Sequence, residues 1–366
     1  MKNRFGTTMR SGARVSAVGM PRPGVALRAG ARMILVASAI ACGSSPTPPP
    51  EAPAEPEPVA APAPEPEPEP APPPGPVVIK DVGFQTPESV LHDVASDTYL
   101  VSNINGSPLD KDDNGFISKL SPEGQVISLK WIDGAAADVE LNAPKGLGIA
   151  NGKLYVTDID VIRTFDLATG KPGQQIKVAG SSFLNDIAVG PDGSIFVSDT
   201  GLKAGKDTEL EPSKKDAIYK VSPQGKLSTV VKGEKLGLPN GLAADANGLW
   251  VVTWSGNYFH VTPDGKAEAP VKAPGAELDG IVQTTDGQVL FSSWEKSAVF
   301  IGTPDTQFSP VLSDVKAPAD IGYDGKRGQV LVPLFTENSV QILKLPAAPA
   351  AAEAGPAASV TAEAKK

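Results

Sequence analysis

The sequence predicts an all-β fold, a six-bladed β-propeller of four-stranded blades, from three observations. A short motif recurs six times, beginning Pro87-Glu88-Ser89-Val90, Pro144-Lys145-Gly146-Leu147, Leu184-Asn185-Asp186-Ile187, Pro239-Asn240-Gly241-Leu242, Leu278-Asp279-Gly280-Ile281 and Pro318-Ala319-Asp320-Ile321. Successive copies lie 57, 40, 55, 39 and 40 residues apart, which defines a unit of about 40 residues with two insertions. Turn pairs such as Asn151-Gly152, Asp192-Gly193 and Asp286-Gly287 precede alternating apolar runs, because these dipeptides tolerate the positive φ of a tight hairpin. A large β-sandwich is the structural alternative, but six repeats with turns in register favour blades, which close on themselves and leave only short edges.

Taken in order, residues 1–41 read as an export leader. All seven basic residues before Cys42 lie in a stretch without an acid, and an apolar run from Met33 to Ala41 follows. That run is too short to span a bilayer, which takes about 20 residues. The long basic region suggests a start at Met20. The leader ends Ala39-Ile40-Ala41-Cys42-Gly43, which resembles a lipobox, with Cys42 as the lipidated residue. Cys42 is also the only cysteine, so no internal disulfide explains it. Its loss with an ordinary signal peptide is the other reading. Acylation there implies a membrane partner and a cell-envelope location. Gly43, where Asp tends to hold such proteins at the inner membrane, favours the outer one.

Residues 42–76 are nearly all Pro, Ala and Glu and cannot bury a core. They predict a disordered but extended tether, on the order of 100 Å at about 3.1 Å per residue. The propeller occupies residues 77–346, its sixth unit one strand short, and Val77 to Val82 could supply that strand and close the ring. Residues 347–366 predict a disordered tail.

The chain of 366 residues carries a net charge of −9; removing the seven basic leader residues takes it to −16, and the six tether glutamates account for all but −10. A basic face for nucleic acid or anionic lipid is therefore not expected, whereas a cation is compatible.

The second residue of each motif opens the innermost strand, so in a closed ring Glu88, Lys145, Asn185, Asn240, Asp279 and Ala319 converge on the axis. Two carboxylates and two amide carbonyls form a hard oxygen set suited to one divalent cation, most readily Ca²⁺. In the bland reading, Asn and Asp before Gly are turn formers, which leaves Glu88 and the common register unexplained.

Over roughly Phe84 to Leu345 the chain resembles the senescence marker protein/gluconolactonase/luciferin-regenerating enzyme-like family, and more distantly paraoxonase. The resemblance implies that Glu88, Asn185, Asn240 and Asp279 surround the metal. It also implies a metal-dependent hydrolase of lactones or related small esters, with Asp279 as the catalytic base. A non-catalytic propeller that binds a protein or glycan is the competing reading.

Lys145 departs from the family pattern. It could contact substrate, pair with Glu88 or Asp279 in place of the metal, or reach out to solvent. Trp254 and Trp294 end second strands and could wall a substrate cleft or pack between blades. His92 and His260 read as hydrogen-bonded strand histidines rather than a catalytic pair. Asp110 to Ser121 matches the first half of an EF-hand loop but lacks its closing acid, so a solvated insertion and a second, weaker Ca²⁺ site both stay open.

Overall fold

The computed structural model describes residues 75–346, apart from Asp207, Thr208 and Asp305. The leader, Cys42, the tether as far as Pro74 and the tail lie outside the described residues.

Six four-stranded antiparallel sheets follow one another along the chain. Blade 1 comprises Pro87–Asp93, Thr98–Asn103, Phe116–Leu120 and Val126–Asp133, and blade 2 comprises Pro144–Ala150, Lys153–Asp158, Val161–Asp166 and Ile176–Lys177. Blade 3 holds Leu184–Val189, Ile195–Asp199, Ala217–Val221 and Leu227–Lys232; blade 4 holds Pro239–Asp245, Gly248–Thr253, Asn257–Val261 and Val271–Lys272. Blade 5 runs through Leu278–Gln283, Val289–Ser293, Ala298–Gly302 and Ser309–Ser313. Blade 6 contains Gly322–Asp324, Gln329–Leu334 and Ser339–Lys344, and its fourth strand is Val77–Ile79, paired antiparallel with Ser339–Lys344. The ring is thus closed by a strand from the beginning of the propeller, as the sequence predicts.

Five motifs start at the first residue of an inner strand, and each shows the same register slip within its first four residues, as between Pro87 and Val90 or Leu278 and Ile281. This bulge bends the strand entry and frees one N–H. A serine of the second strand accepts that N–H in blades 1, 3 and 5: Ser102 from Ser89, Ser198 from Asp186 and Ser292 from Gly280, each at 2.9 Å. Blade 6 holds the same register through a lone Pro318–Leu334 bridge.

Among the described residues the core consists of six apolar clusters, each sandwiched between neighbouring blades, and a smaller seventh of Ile104, Ala143 and Ile159. Leu100 and Ile117 of blade 1 meet Leu147, Leu154 and Val156 of blade 2, and at the closing seam Leu331 and Ile342 of blade 6 meet Val90 and Val101 of blade 1. The inner strands touch directly, which explains the glycines of three motifs. A Cβ on Gly241 would lie 2.2 Å from Asp279 O, one on Gly280 2.2 Å from Ile321 N, and one on Gly146 2.6 Å from Asp186 Cα. None of the three has positive φ. They are packing glycines, required by the close approach of the strands and not by a turn.

The two insertions fall between second and third strands, at residues 104–115 in blade 1 and 200–216 in blade 3, the latter with its own hairpin of Leu202–Ala204 and Leu210–Pro212. An inner strand starts on the face of the ring where its antiparallel neighbour ends. Both insertions therefore rise from the face that carries the second motif residues.

Candidate metal centre and active site

The chain enters four of the six inner strands through a residue in left-handed conformation two positions before the axial one: Thr86 (φ 48°), Leu238 (φ 62°), Glu277 (φ 52°) and Ala317 (φ 46°). Such backbone is costly for residues with a Cβ and persists only where surrounding contacts hold it. Here each kink is held by its carbonyl, which accepts the N–H of the residue just after the second strand: Ile104, Trp254, Trp294 and Phe335 respectively, at 2.9–3.1 Å. In blades 2 and 3 the aspartate ending the second strand does the holding. Asp158 accepts the N–H groups of Asn142 and Ala143, and Asp199 those of Ser182 and Phe183.

These entries bring the six second residues, Glu88, Lys145, Asn185, Asn240, Asp279 and Ala319, to buried positions around the axis. Hydrogen bonds link neighbouring entries around the ring: Asn240 Nδ2 donates to Leu278 O at 3.2 Å, Asp320 N to Glu88 O at 2.9 Å, and Asn185 Nδ2 to Thr200 Oγ1 of its own blade at 3.1 Å, whose hydroxyl donates on to Pro239 O at 2.9 Å. Asp279 Oδ2 accepts the indole N–H of Trp294 at 2.8 Å. Three oxygens of this ring are buried with no hydrogen-bond partner: Glu88 Oε2, Asn240 Oδ1 and Asp279 Oδ1. A buried acceptor without a donor is expensive, and three in one cluster suit a hard cation. The residues fit a divalent ion such as Ca²⁺ held by Glu88, Asn185, Asn240 and Asp279.

The electrostatics lead to the same conclusion. Burial, then the charges of Asp279 and Asp320, push Glu88 well above the usual carboxylate range. Burial and Asp320 push Asp279 up to about 8, although the Trp294 and Asn240 hydrogen bonds oppose the shift. An added positive charge on the axis would oppose both shifts.

The motif position one further on carries two acids that sequence reading passed over as site residues. Asp186 of blade 3 and Asp320 of blade 6, on opposite sides of the ring, share a side-chain hydrogen bond across the axis. Ser89 of blade 1 donates to Asp320 at 2.5 Å, and Leu242 N of blade 4 donates to Asp186 at 2.6 Å. Two carboxyls bonded to each other must hold a proton. Burial drives Asp186 well up and Asp320 to about 6. The signal was present in the repeat, since this register reads Ser, Gly, Asp, Gly, Gly, Asp; small residues are what converging inner strands require, and two aspartates break the rule.

Lys145 is buried, and its ammonium donates to Pro108 O at 3.0 Å and Ala143 O at 3.1 Å while lying 4.5 Å over the Phe183 ring. It makes no ion pair with Glu88 or Asp279 and does not reach solvent, so neither expectation of pairing nor of snorkelling describes it. Burial lowers it to about 8, against the pull of Glu88 and Asp158. Its hydrogen bond to Pro108 ties the blade 1 insertion to the axial ring.

Trp254 and Trp294 stand edge to face with centroids 5.4 Å apart, so they pack between blades, and Trp294 also borders Asp279. His92 sits at the far end of its strand from Glu88, bonded to Asp97 at 3.1 Å. His260 packs on Trp250 at 4.9 Å. A second group with ligand atoms within 4.8 Å of one another, His92, Asp97 and Asp324, lies at the seam of blades 1 and 6. Arg327 already bridges Asp97 and Asp324 at 2.8 Å, and Lys326 joins Asp97 at 2.5 Å. In the EF-hand-like segment, Phe116–Leu120 is a strand, which ends the loop early, and Asn114 Nδ2 takes up Asp112 at 2.6 Å.

The family model described as SMP-30/Gluconolactonase/LRE-like region matches residues 121–321, which include Lys145, Asn185, Asn240 and Asp279. No curated protein sequence matches the chain. Among solved structures, a gluconolactonase from Xanthomonas campestris is 20% identical, over 72% of this chain and 87% of that one, with a TM-score of 0.56. A luciferin-regenerating enzyme is 13% identical over 74% and 96%, with a TM-score of 0.54. A virginiamycin B lyase from Staphylococcus aureus is 15% identical over 74% and 99%, with a TM-score of 0.51. At these identities the likeness is one of fold. Matched over more than half its length, the chain belongs to the SMP-30/gluconolactonase/LRE-like family, typically metal-dependent, and that membership supports a lactonase-like propeller enzyme.

Proposed function

We propose that this protein hydrolyses lactones or related small esters at a divalent cation, most readily Ca²⁺, held by Glu88, Asn185, Asn240 and Asp279. The observation that carries the reading is the trio of buried, unpartnered oxygens on Glu88, Asn240 and Asp279. A cation held there would supply a counter-charge to Glu88 and Asp279 and would polarise an ester carbonyl.

Asp279 has one oxygen fixed by Trp294, while the other, with two lone pairs, is placed to face the cation with one and to act as general base with the second. That oxygen takes a proton from water, the water oxygen bonds the carbonyl carbon, and the acyl–oxygen bond of the ring breaks. The departing ring oxygen takes the proton back, leaving the open hydroxy acid. Lys145, committed to two backbone carbonyls, holds the blade 1 insertion beside the ring rather than contacting the ester.

The metal content of the purified protein, its melting temperature with and without chelator, and turnover of a lactone panel test the proposal together. One ion per chain, chelator-sensitive melting and turnover lost in Asp279→Ala are expected. Bound metal with no turnover of any lactone or ester would favour a propeller that binds a protein or glycan.

The location belongs to the same reading: the leader and Cys42 support lipid-anchored display in the cell envelope, at the outer membrane over the inner. Membrane fractionation of the wild type and of Cys42→Ser tests it, with release of the variant into the soluble fraction expected.

A further inference from the structure

The residue that follows the second strand occupies one register in all six blades: Ile104, Ile159, Thr200, Trp254, Trp294 and Phe335. It lies on the face that carries the axial ring, and in four blades its N–H holds the kink that aims the axial residue. Five of the six are apolar. Ile104, Ile159 and Thr200 are buried, whereas the three aromatics, on consecutive blades, are only partly so.

Trp254, Trp294 and Phe335 form one continuous wall. Ring centroids are 5.4 Å apart for the first pair, at 68°, and 5.2 Å for the second, at 48°. Its middle member touches Asp279 through its indole N–H, and an indole has no other polar group. Across from it, Leu109 of the blade 1 insertion packs with Phe335 against Ile104, Ala143 and Ile159. The axial oxygens are thus bordered, on the side of Asp279, by aromatic carbon. A polyhydroxylated ring seated there would set its hydroxyls against groups that cannot answer them, whereas an alkyl or aryl substituent would bury apolar surface.

We propose that the site takes lactones bearing an apolar alkyl or aryl substituent, seated against Trp254 and Phe335, in preference to polyhydroxylated sugar lactones. The proposal rests on the hydrolase reading above and adds the substrate class.

The test measures kcat and KM of the full chain with Ca²⁺ on δ-lactones whose alkyl substituent grows from methyl to heptyl, alongside glucono-δ-lactone. The expected result is a kcat/KM that rises by up to about fourfold per methylene over the first few carbons, with glucono-δ-lactone slowest. Trp254→Ala and Phe335→Ala are expected to flatten that series, mainly through KM, and Trp254→Phe to restore most of it. A flat series in the wild type, or glucono-δ-lactone as the fastest substrate, overturns the proposal. Should no lactone turn over, the hydrolase reading fails by itself, and the substrate class is then read from quenching of tryptophan fluorescence by the corresponding alkyl δ-lactams. Affinity that grows with chain length and collapses in Trp254→Ala upholds an apolar ligand; no binding, or binding indifferent to chain length, overturns it.

Discussion

Two clusters of acids in this propeller have opposite fates. At the seam of blades 1 and 6, Asp97 and Asp324 sit with His92, Arg327 and Lys326. Hydrogen bonds from Arg327 and then Lys326 hold Asp97 far below the usual carboxylate range. Burial alone would raise Asp324, but hydrogen bonds from Tyr99 and Arg327 outweigh it and keep it low. On the axis, Glu88, Asp279, Asp320 and Asp186 are all driven upward, and three oxygens, on Glu88, Asn240 and Asp279, have no partner. The seam brings its own cations and is complete as it stands. The axis has one, Lys145, and directs it at backbone carbonyls instead. An acid cluster neutralised from within is complete; one left short of positive charge is the candidate for a ligand.

Activity should separate the two most sharply. Asp279→Asn keeps the shape of the ring but removes a ligand charge and the base, and turnover on the best lactone is expected to fall about 10³-fold. Arg327→Leu should leave turnover and cation content unchanged while lowering the melting temperature. Equal losses of activity in both variants would erase the distinction.

Next in size is the pH dependence of stability in chelator-treated protein. A carboxyl raised on folding favours the folded state below its unfolded pKa of about 4, and that contribution is lost as pH rises through the folded value. For Asp320 and Asp279 the loss extends to about 6 and about 8. The depressed acids of the seam act the other way, contributing above pH 4 and losing that contribution only in acid. Melting temperature without metal should therefore decline from pH 5 to pH 8, and saturating Ca²⁺ should remove the decline. A metal-free protein whose stability is flat over this range would contradict the axial assignment.

Gly241→Ala tests whether the close approach of the inner strands sets the site. A Cβ there lies 2.2 Å from Asp279 O, so a loss of about 1–3 kcal/mol with weakened cation binding is expected in denaturant titration and calorimetry. The smallest effect concerns Lys145→Met. It strips two carbonyls of a donor, at about 1–2 kcal/mol of stability, and removes a positive charge near Glu88, so cation affinity should rise. Weaker cation binding in this variant would mean that Lys145 supports the site directly.

Much of this was readable along the chain because it is periodic. The inner strands of blades 1–5 begin at Pro87, Pro144, Leu184, Pro239 and Leu278, the residues that open their motifs. The four oxygen donors were found by register, since equivalent positions in a closed ring must meet. Lys145 was found the same way, but a register gives no direction for a long flexible side chain, and its partners come from an insertion the repeat does not describe. Asp186 and Asp320 were missed because each looks ordinary in its own blade; only opposition across the ring makes them a pair. Phe335 escaped for a related reason, as its aromatic neighbours come from other blades.

The sequence alone determined the all-β class, the number of blades, the strand that closes the ring and the six residues that meet around the axis. Each follows from local pattern repeated at a fixed interval, and repetition fixes register. Tertiary structure decided which oxygens are left without a partner, where the lysine goes, which acids share a proton and which rim is aromatic. Those depend largely on contacts the repeat does not describe, where burial and neighbouring charge, not sequence spacing, set the energy of every polar group.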